Sequence, residues 1–304
     1  MIQLIQILLF TIALIYLIIG SYTDLCSREV PDLVNFSFLA IALGFNAILS
    51  VIYWTWSYFL YSIFGLIIAV IIALFMYYTG QWGGGDAKML FGIGALFGLP
   101  LQFPLTTAVL NWQLQFPVLI SFLVYMIIIG GFYGIGWSIY LTIRSWKQFV
   151  GAFTEKIHEK EIFRMRIIII GVTLIDLVSI FFVHENAMRL LIISFVLLMI
   201  GTFYLFIFIK IIEKIAMLKH VSPEQLTEGD WIADDIIIDD KYVTGPKELG
   251  ISKEQIQELI GLQKKGKIEK VIIKQGIPFI PSFLITLFVS YFIGLGWLIQ
   301  LLTR

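Results

Sequence analysis

Residues 2–32 read IQLIQILLFTIALIYLIIGSYTDLCSREVPD. No residue from Ile2 to Thr23 is charged, and an apolar run of about 20 residues crosses a bilayer as a helix. The run closes on Asp24. Beyond it come Arg28, Glu29 and Pro31, and the proline stops a helix from running through. A carboxylate at the edge of a membrane span is costly to place, so such residues are rare and usually functional. No basic stretch precedes the run and no small-residue cleavage site follows it. Residues 2–23 are therefore expected to be a retained transmembrane helix, not a removed signal peptide.

The rest of the chain extends this reading. Hydrophobic residues make up 59% and charged residues 14% of it, with a mean hydropathy of +0.93, against about 25% charged in a soluble domain. About eight spans are expected, near 2–23, 33–53, 58–79, 88–110, 117–143, 167–184, 188–212 and 277–302. The fold class follows: an all-α polytopic membrane protein with a small cytosolic α/β insert. With the N-terminus outside, all of the 21 Lys and Arg residues except Arg189 and Arg304 fall on the cytoplasmic side, as the positive-inside rule requires. Both Asp24 and Asp86 then lie at the cytoplasmic face, and Trp54, Trp56 and Tyr58 lie at the opposite interface.

Four divisions are expected. Residues 1–143 form a membrane bundle with the aspartate motifs. Residues 144–218 hold a basic cytosolic loop and two further membrane helices, 219–276 form a soluble module, and 277–304 form the last span. In the module, Trp231–Ala233, Ile236–Ile238 and Val271–Ile273 read as strands. Ser252 with Gln255 reads as a capping box opening a helix to about Lys265, ended by Gly266. The loop 144–166, with Arg144, Lys147, Lys156, Lys160, Arg164 and Arg166, is suited to anionic lipid headgroups. Asp234, Asp235, Asp239 and Asp240 form an acidic cluster that reads first as a solvated hairpin, and otherwise as an attractor of basic peptide or a cation. Asp176, inside a span, reads as a structural acid near Thr173 and Ser179, with a functional role as the alternative.

The chemistry rests on two segments at the ends of apolar runs. The first is Tyr22 to Asp32, with Asp24. The second is Gly83-Gly84-Gly85-Asp86-Ala87-Lys88. Two convergent carboxylates can share one proton, because like charges about 3 Å apart do not both ionise. One then acts as base toward water while the other, protonated, polarises a carbonyl. Gly83–Gly85 remove side chains where an extended substrate would approach, and permit positive φ. Arg28 and Lys88 are placed to position the backbone or to snorkel to the interface. Cys26 is the single cysteine, so no disulfide and no paired-cysteine zinc site is expected. No metal, cofactor or nucleic-acid partner is expected either.

These segments resemble the motifs of the type IV prepilin and preflagellin (archaellin) peptidases. Asp24 with Arg28, Val30, Pro31 and Asp32 looks like the first catalytic motif of that family, and Gly83–Lys88 is similar to its G-x-G-D-x-K motif. Gly276-Ile277-Pro278-Phe279-Ile280-Pro281 resembles a third. The resemblance implies a membrane aspartic endopeptidase that removes a short basic leader from a precursor just before its hydrophobic helix. It implies Asp24 and Asp86 as the catalytic pair, with Gly83, Gly85, Lys88, Arg28 and Pro31 in support. The short first loop and the lone Cys26 resemble the archaeal branch and speak against a methyltransferase activity.

Two alternatives stand beside it. A presenilin-like or signal-peptide-peptidase-like enzyme also uses G-x-G-D, but carries its first aspartate inside a later helix. A proton-coupled transporter would use Asp24, Asp86 and Asp176 as relays, but transporter sites lie near the midplane between repeats, and no short repeat is present here.

Overall fold

The computed structural model describes residues 2–99, 117–239, 241–248 and 250–296. The chain is a polytopic helical membrane protein. Among the described residues, six helices are long and apolar enough to cross a bilayer, and Ile280–Phe292 is a shorter apolar helix. The helices are α1 (Ile2–Ser27), α2 (Asp32–Ile52), α3 (Ser57–Tyr78), α4 (Gly84–Phe97), α5 (Val118–Arg144), α6 (Trp146–His158), α7 (Lys160–Ser179), α8 (Asn186–Ile212), α9 (Lys253–Lys264) and α10 (Ile280–Phe292). The second half of the predicted 88–110 span, the end of the predicted 277–302 span, Asp240 and Arg304 lie outside the described residues.

One core joins α1 to α5 with α10. Leu17, Phe38, Met89, Leu90, Ile93, Phe122 and Phe283 are all fully buried in it. Small residues set its spacing. On α3, Ser62, Gly65, Ala69 and Ala73 are buried along one stripe facing α4, and a Cβ on Gly94 would sit 2.6 Å from the Gly65 carbonyl oxygen. Backbones this close are the usual membrane solution, because lipid supplies no hydrophobic drive between helices and close packing must supply the attraction. The buried Asn46 and Ser62 are satisfied by open carbonyls at the C-terminal end of α4. Asn46 Nδ2 donates to Ala95 and Leu96 at 3.1 Å each, and Ser62 Oγ donates to Ala95 at 2.5 Å. In a bilayer each such group left unmatched would cost several kcal/mol.

The predicted 144–166 loop is corrected: it is helical. α6 fills most of it and α7 begins at Lys160. Phe149, Ala152 and Phe153 of α6 pack against Phe203, Ile207 and Ile211 of α8, so an apolar stripe inside the basic segment draws it into a helix. The 188–212 run is one helix, α8. It continues to Met217 through a π-helical turn, Glu213–Met217.

The module between α8 and α10 has two sheets. β1 (Leu218–Val221), β5 (Val271–Lys274) and β2 (Trp231–Ile232) form an antiparallel sheet in that order, and β3 (Ile236–Ile238) pairs antiparallel with β4 (Lys241–Thr244). Leu259 and Ile256 of α9 pack on Ile232, Val243, Val271 and Ile273. The capping box is present: Ser252 Oγ accepts from Gln255 N–H at 3.3 Å, and Gln255 Oε1 accepts from Ser252 N–H at 2.8 Å.

Candidate active site

Asp24 occupies the last turn of α1 and is 5% exposed. α1 ends three residues later, where Arg28 takes φ 63° and its N–H still reaches the Asp24 carbonyl at 3.0 Å. Pro31 then caps α2. Asp86 is the third residue of α4. Its Oδ2 accepts from the N–H of Gly83, the residue that caps the helix, at 3.2 Å. This is half of a capping box, with the acid also favoured by the positive end of the helix.

Contacts between the two motifs draw the aspartates to one end of the bundle. A Cβ on Gly85 would lie 3.2 Å from Val30 N and 3.3 Å from Val30 Cβ. A side chain on Gly85 would therefore press on the turn after Asp24, and Val30 would have to give by a few tenths of an ångström. Lys88 pairs with Asp32 at 2.5 Å, tying α4 to α2. With these contacts in place the charge of Asp24 bears on Asp86. Positive φ is not needed at Gly83–Gly85; Gly83 is extended at φ −73° and the next two are helical, whereas Gly80 has φ 69°.

The third motif supplies a partner that the sequence did not specify. The N–H of Ile280 donates to Asp24 Oδ2 at 2.9 Å. Its placement follows from Phe279, which packs on the Trp82 ring 5.7 Å away and against α5 at Gly130, where a Cβ would meet the Phe279 ring at 2.6 Å. Pro278 and Pro281 flank this turn and gave a hint of it. α5 adds three residues without a sequence signal. Trp137 lies under the Arg28 guanidinium at 5.0 Å, and Tyr133 and Tyr140 lie within its field. Tyr133 also lies within the field of Asp24.

The remaining candidates are dispersed. Asp234 lines a cleft of about 560 Å³ with Gly80, Glu213 and Trp231. Asp239 pairs with Lys267, and Asp235 abuts Gly245. Among the described residues no group of three or more His, Cys, Asp or Glu could hold a metal ion. Asp176 is on α7, which packs on α6 and α8. Its Oδ2 and Thr173 Oγ1 are buried without a hydrogen-bond partner among the described residues, so no bond joins the two side chains. The Ser179 hydroxyl donates instead to the Asp176 main-chain carbonyl at 2.7 Å.

A sequence model of the type IV leader peptidase family matches residues 11–135. That stretch contains Asp24, Asp86 and every contact between their motifs described above. Residues 11–135 are thus similar to the type IV leader peptidase family. The preflagellin peptidase of Methanocaldococcus jannaschii is 35% identical over 150 residues, covering 48% of this chain and 62% of that protein. The preflagellin peptidase of Methanococcus maripaludis is 35% identical over 108 residues, covering 34% of this chain and 46% of its own length. The chain thus spans less than two thirds of either relative. No solved structure matches. The matched stretch ends within α5, so α6 to α10 and the module lie beyond it.

Proposed function

We propose that this protein is a membrane aspartic endopeptidase that removes a short basic leader from pilin-like or archaellin-like precursors, with Asp24 and Asp86 as its catalytic pair. The observation that carries the reading is the convergence of the two motifs at one end of the bundle, through Gly85 on Val30 and Lys88 on Asp32, within a stretch that a sequence model of a peptidase family matches. The names of the relatives point to preflagellin as the substrate class.

The chemistry uses both carboxylates. One, ionised, takes a proton from water as its oxygen attacks the scissile carbonyl carbon. The other, protonated, gives its proton to the carbonyl oxygen. The tetrahedral intermediate collapses with cleavage of the C–N bond, and a proton passes to the departing amine. The Asp24 oxygen held by Ile280 N–H fixes the rotamer and leaves the second oxygen for water or substrate. Gly83 keeps the approach to Asp86 open, Pro31 and Gly85 set the turn between the motifs, and Arg28 and Lys88 orient it.

The Lys and Arg distribution supports an N-terminus outside and a cytoplasmic site. The division into 1–143, 144–218, 219–276 and 277–304 assigns the chemistry to the first and last pieces. The basic face of α6 meets lipid headgroups. The presenilin-like and transporter readings are less favoured, since neither accounts for a first aspartate that ends α1 within a leader peptidase segment.

The test is reconstituted enzyme with a tagged precursor carrying a basic leader and a hydrophobic helix, and mass spectrometry of the product. A single cut at the leader boundary is expected. Cuts within the hydrophobic helix would favour the presenilin-like reading, and no cut across several precursors and pH values would sink the peptidase.

A further inference from the structure

One turn of the module reaches both of the loops beside the aspartates. Leu226 and Ile232 are buried in the module's core, and the residues between them form a braced turn. Asp230 Oδ2 accepts from Thr227 N–H at 2.8 Å, and the Asp230 carbonyl accepts from the N–H of the buried Ile251 at 2.9 Å. Local side-chain bonds of this kind hold a turn in one shape. Thr227 and Trp231 stand at its two ends and meet different parts of the bundle. The Thr227 hydroxyl donates to Glu29 Oε1, in the turn after Asp24. The Trp231 ring lies beside Gly80, where a Cβ would meet its Cη2 at 3.6 Å, in the turn that leads to Gly83 and Asp86. A third tie is covalent. β5 ends at Lys274, the next N–H is held by the Met217 carbonyl at 2.8 Å, and the chain then runs to Ile280, whose N–H holds Asp24.

Reacting groups have to be held within about 0.5 Å of their working geometry, and groups next to loops are the hardest to hold. From the side of the bundle, the two loops are joined by the Val30–Gly85 contact and by the Lys88–Asp32 pair. A partly exposed pair of that kind contributes little. The module adds ties from the other side. Each is modest, but Thr227 and Trp231 belong to one braced turn, so a shift of either loop strains both. We propose that the module clamps the site, with Thr227 and Trp231 as positioning residues that hold the Asp24 and Asp86 loops at their working separation. The catalytic consequence rests on the peptidase reading above. The clamp goes beyond it, because it gives a task to a part of the chain outside residues 11–135.

The experiment has two readouts. The first needs no substrate. Cys26 is the single cysteine and is exposed, so a spin label there and a second on Gln81→Cys report the separation of the two loops by pulsed electron paramagnetic resonance. One narrow distance is expected, and a broader distribution once Thr227→Val or Trp231→Ala is added. Thr227 is exposed, so Thr227→Val carries the test if Trp231→Ala disturbs the module. The second readout is cleavage of one precursor. Thr227→Val is expected to lose roughly 3- to 10-fold in kcat, the size of one exposed hydrogen bond, with KM kept because the lost contact is not with substrate. Thr227→Ser keeps the hydroxyl and is expected to restore the rate. Glu29→Ala combined with Thr227→Val should be no slower than the slower single variant, because both break one bond. The inference is overturned by unchanged label distances, by a loss carried in KM, by Thr227→Ser as slow as Thr227→Val, or by losses that multiply in the double variant. A wild type that cuts nothing removes the peptidase reading, whereas broadened distances in the same variants still support the clamp.

Discussion

The α3–α4 pair and the α7–α8 pair are both antiparallel apolar helices, yet they are built in opposite ways. In the first, glycine, alanine and serine line the contact and the backbones nearly touch at Gly65 and Gly94. In the second, the most apolar 18-residue stretch of Lys160–Phe182 buries nothing inside the protein, and Gly171 and Gly201 face open space. Total hydrophobicity does not distinguish the pairs, because lipid satisfies an apolar side chain as well as a neighbouring helix does. What separates them is the work each performs. α3 and α4 hold the aspartate-bearing end of α4 to a fixed position, while α7 and α8 lead the chain to the module of β1 to β5 and α9.

This contrast can be broken or sharpened by mutation. The largest effect is expected at the aspartates. Asp24→Asn or Asp86→Asn keeps shape but removes a carboxylate of the proposed pair, and should lower kcat at least about 10³-fold, the scale seen when a member of a catalytic unit is lost, with the melting temperature nearly unchanged. Next comes Gly94→Ala, whose methyl group has to displace the Gly65 carbonyl or Ala69. Overpacking of this kind costs about 1–3 kcal/mol, read as a lower unfolding temperature in the fluorescence of the buried Trp82. The matched Gly171→Ala and Gly201→Ala variants should be neutral or gain up to about 1 kcal/mol from helix propensity. A loss equal to that of Gly94→Ala would show that α7–α8 packs on a partner in the membrane.

Gly85→Ala is expected to lie between these, since Val30 must yield only a few tenths of an ångström. Roughly tenfold lower kcat/KM, a loss of about 1.4 kcal/mol, with the fold retained would fit a shifted aspartate. Lys88→Met breaks a pair whose side chains are 34% and 63% exposed. Such pairs contribute about 0–1 kcal/mol, so stability should hardly move while activity falls a few-fold. The smallest effect is expected for Asp176→Asn, with activity largely kept. A complete catalytic loss in folded protein would place Asp176 in the mechanism.

Much of this was legible in the sequence because membrane proteins punctuate their spans with charge. Asp24 and Asp86 stood at the ends of apolar runs, and Ser252 with Gln255 marked α9. Other features were hidden for physical reasons. The amphipathic α6 lay within a charge-rich stretch, where Lys and Arg mask an apolar stripe of Phe149, Ala152 and Phe153. The bond from Ile280 to Asp24 is made by a backbone N–H, which every residue but proline has, so no residue type could announce it. The aromatic setting of Arg28 comes from Tyr133, Trp137 and Tyr140, spaced like any interfacial helix face. The glycines were read as room for substrate; that a side chain on Gly85 would also crowd Val30 depends on a turn 55 residues away, which no local pattern shows.

The central claim is that Asp24 and Asp86 act as one unit, and the most direct measurement is precursor cleavage by Asp24→Asn, Asp86→Asn and the double variant at equal folded concentration. A true pair should fail together: both single variants and the double variant are expected at the same floor, because losses within one catalytic unit are not additive. Either single variant cutting at a substantial fraction of the wild-type rate, or a double variant that falls by the product of two modest losses, would contradict the dyad.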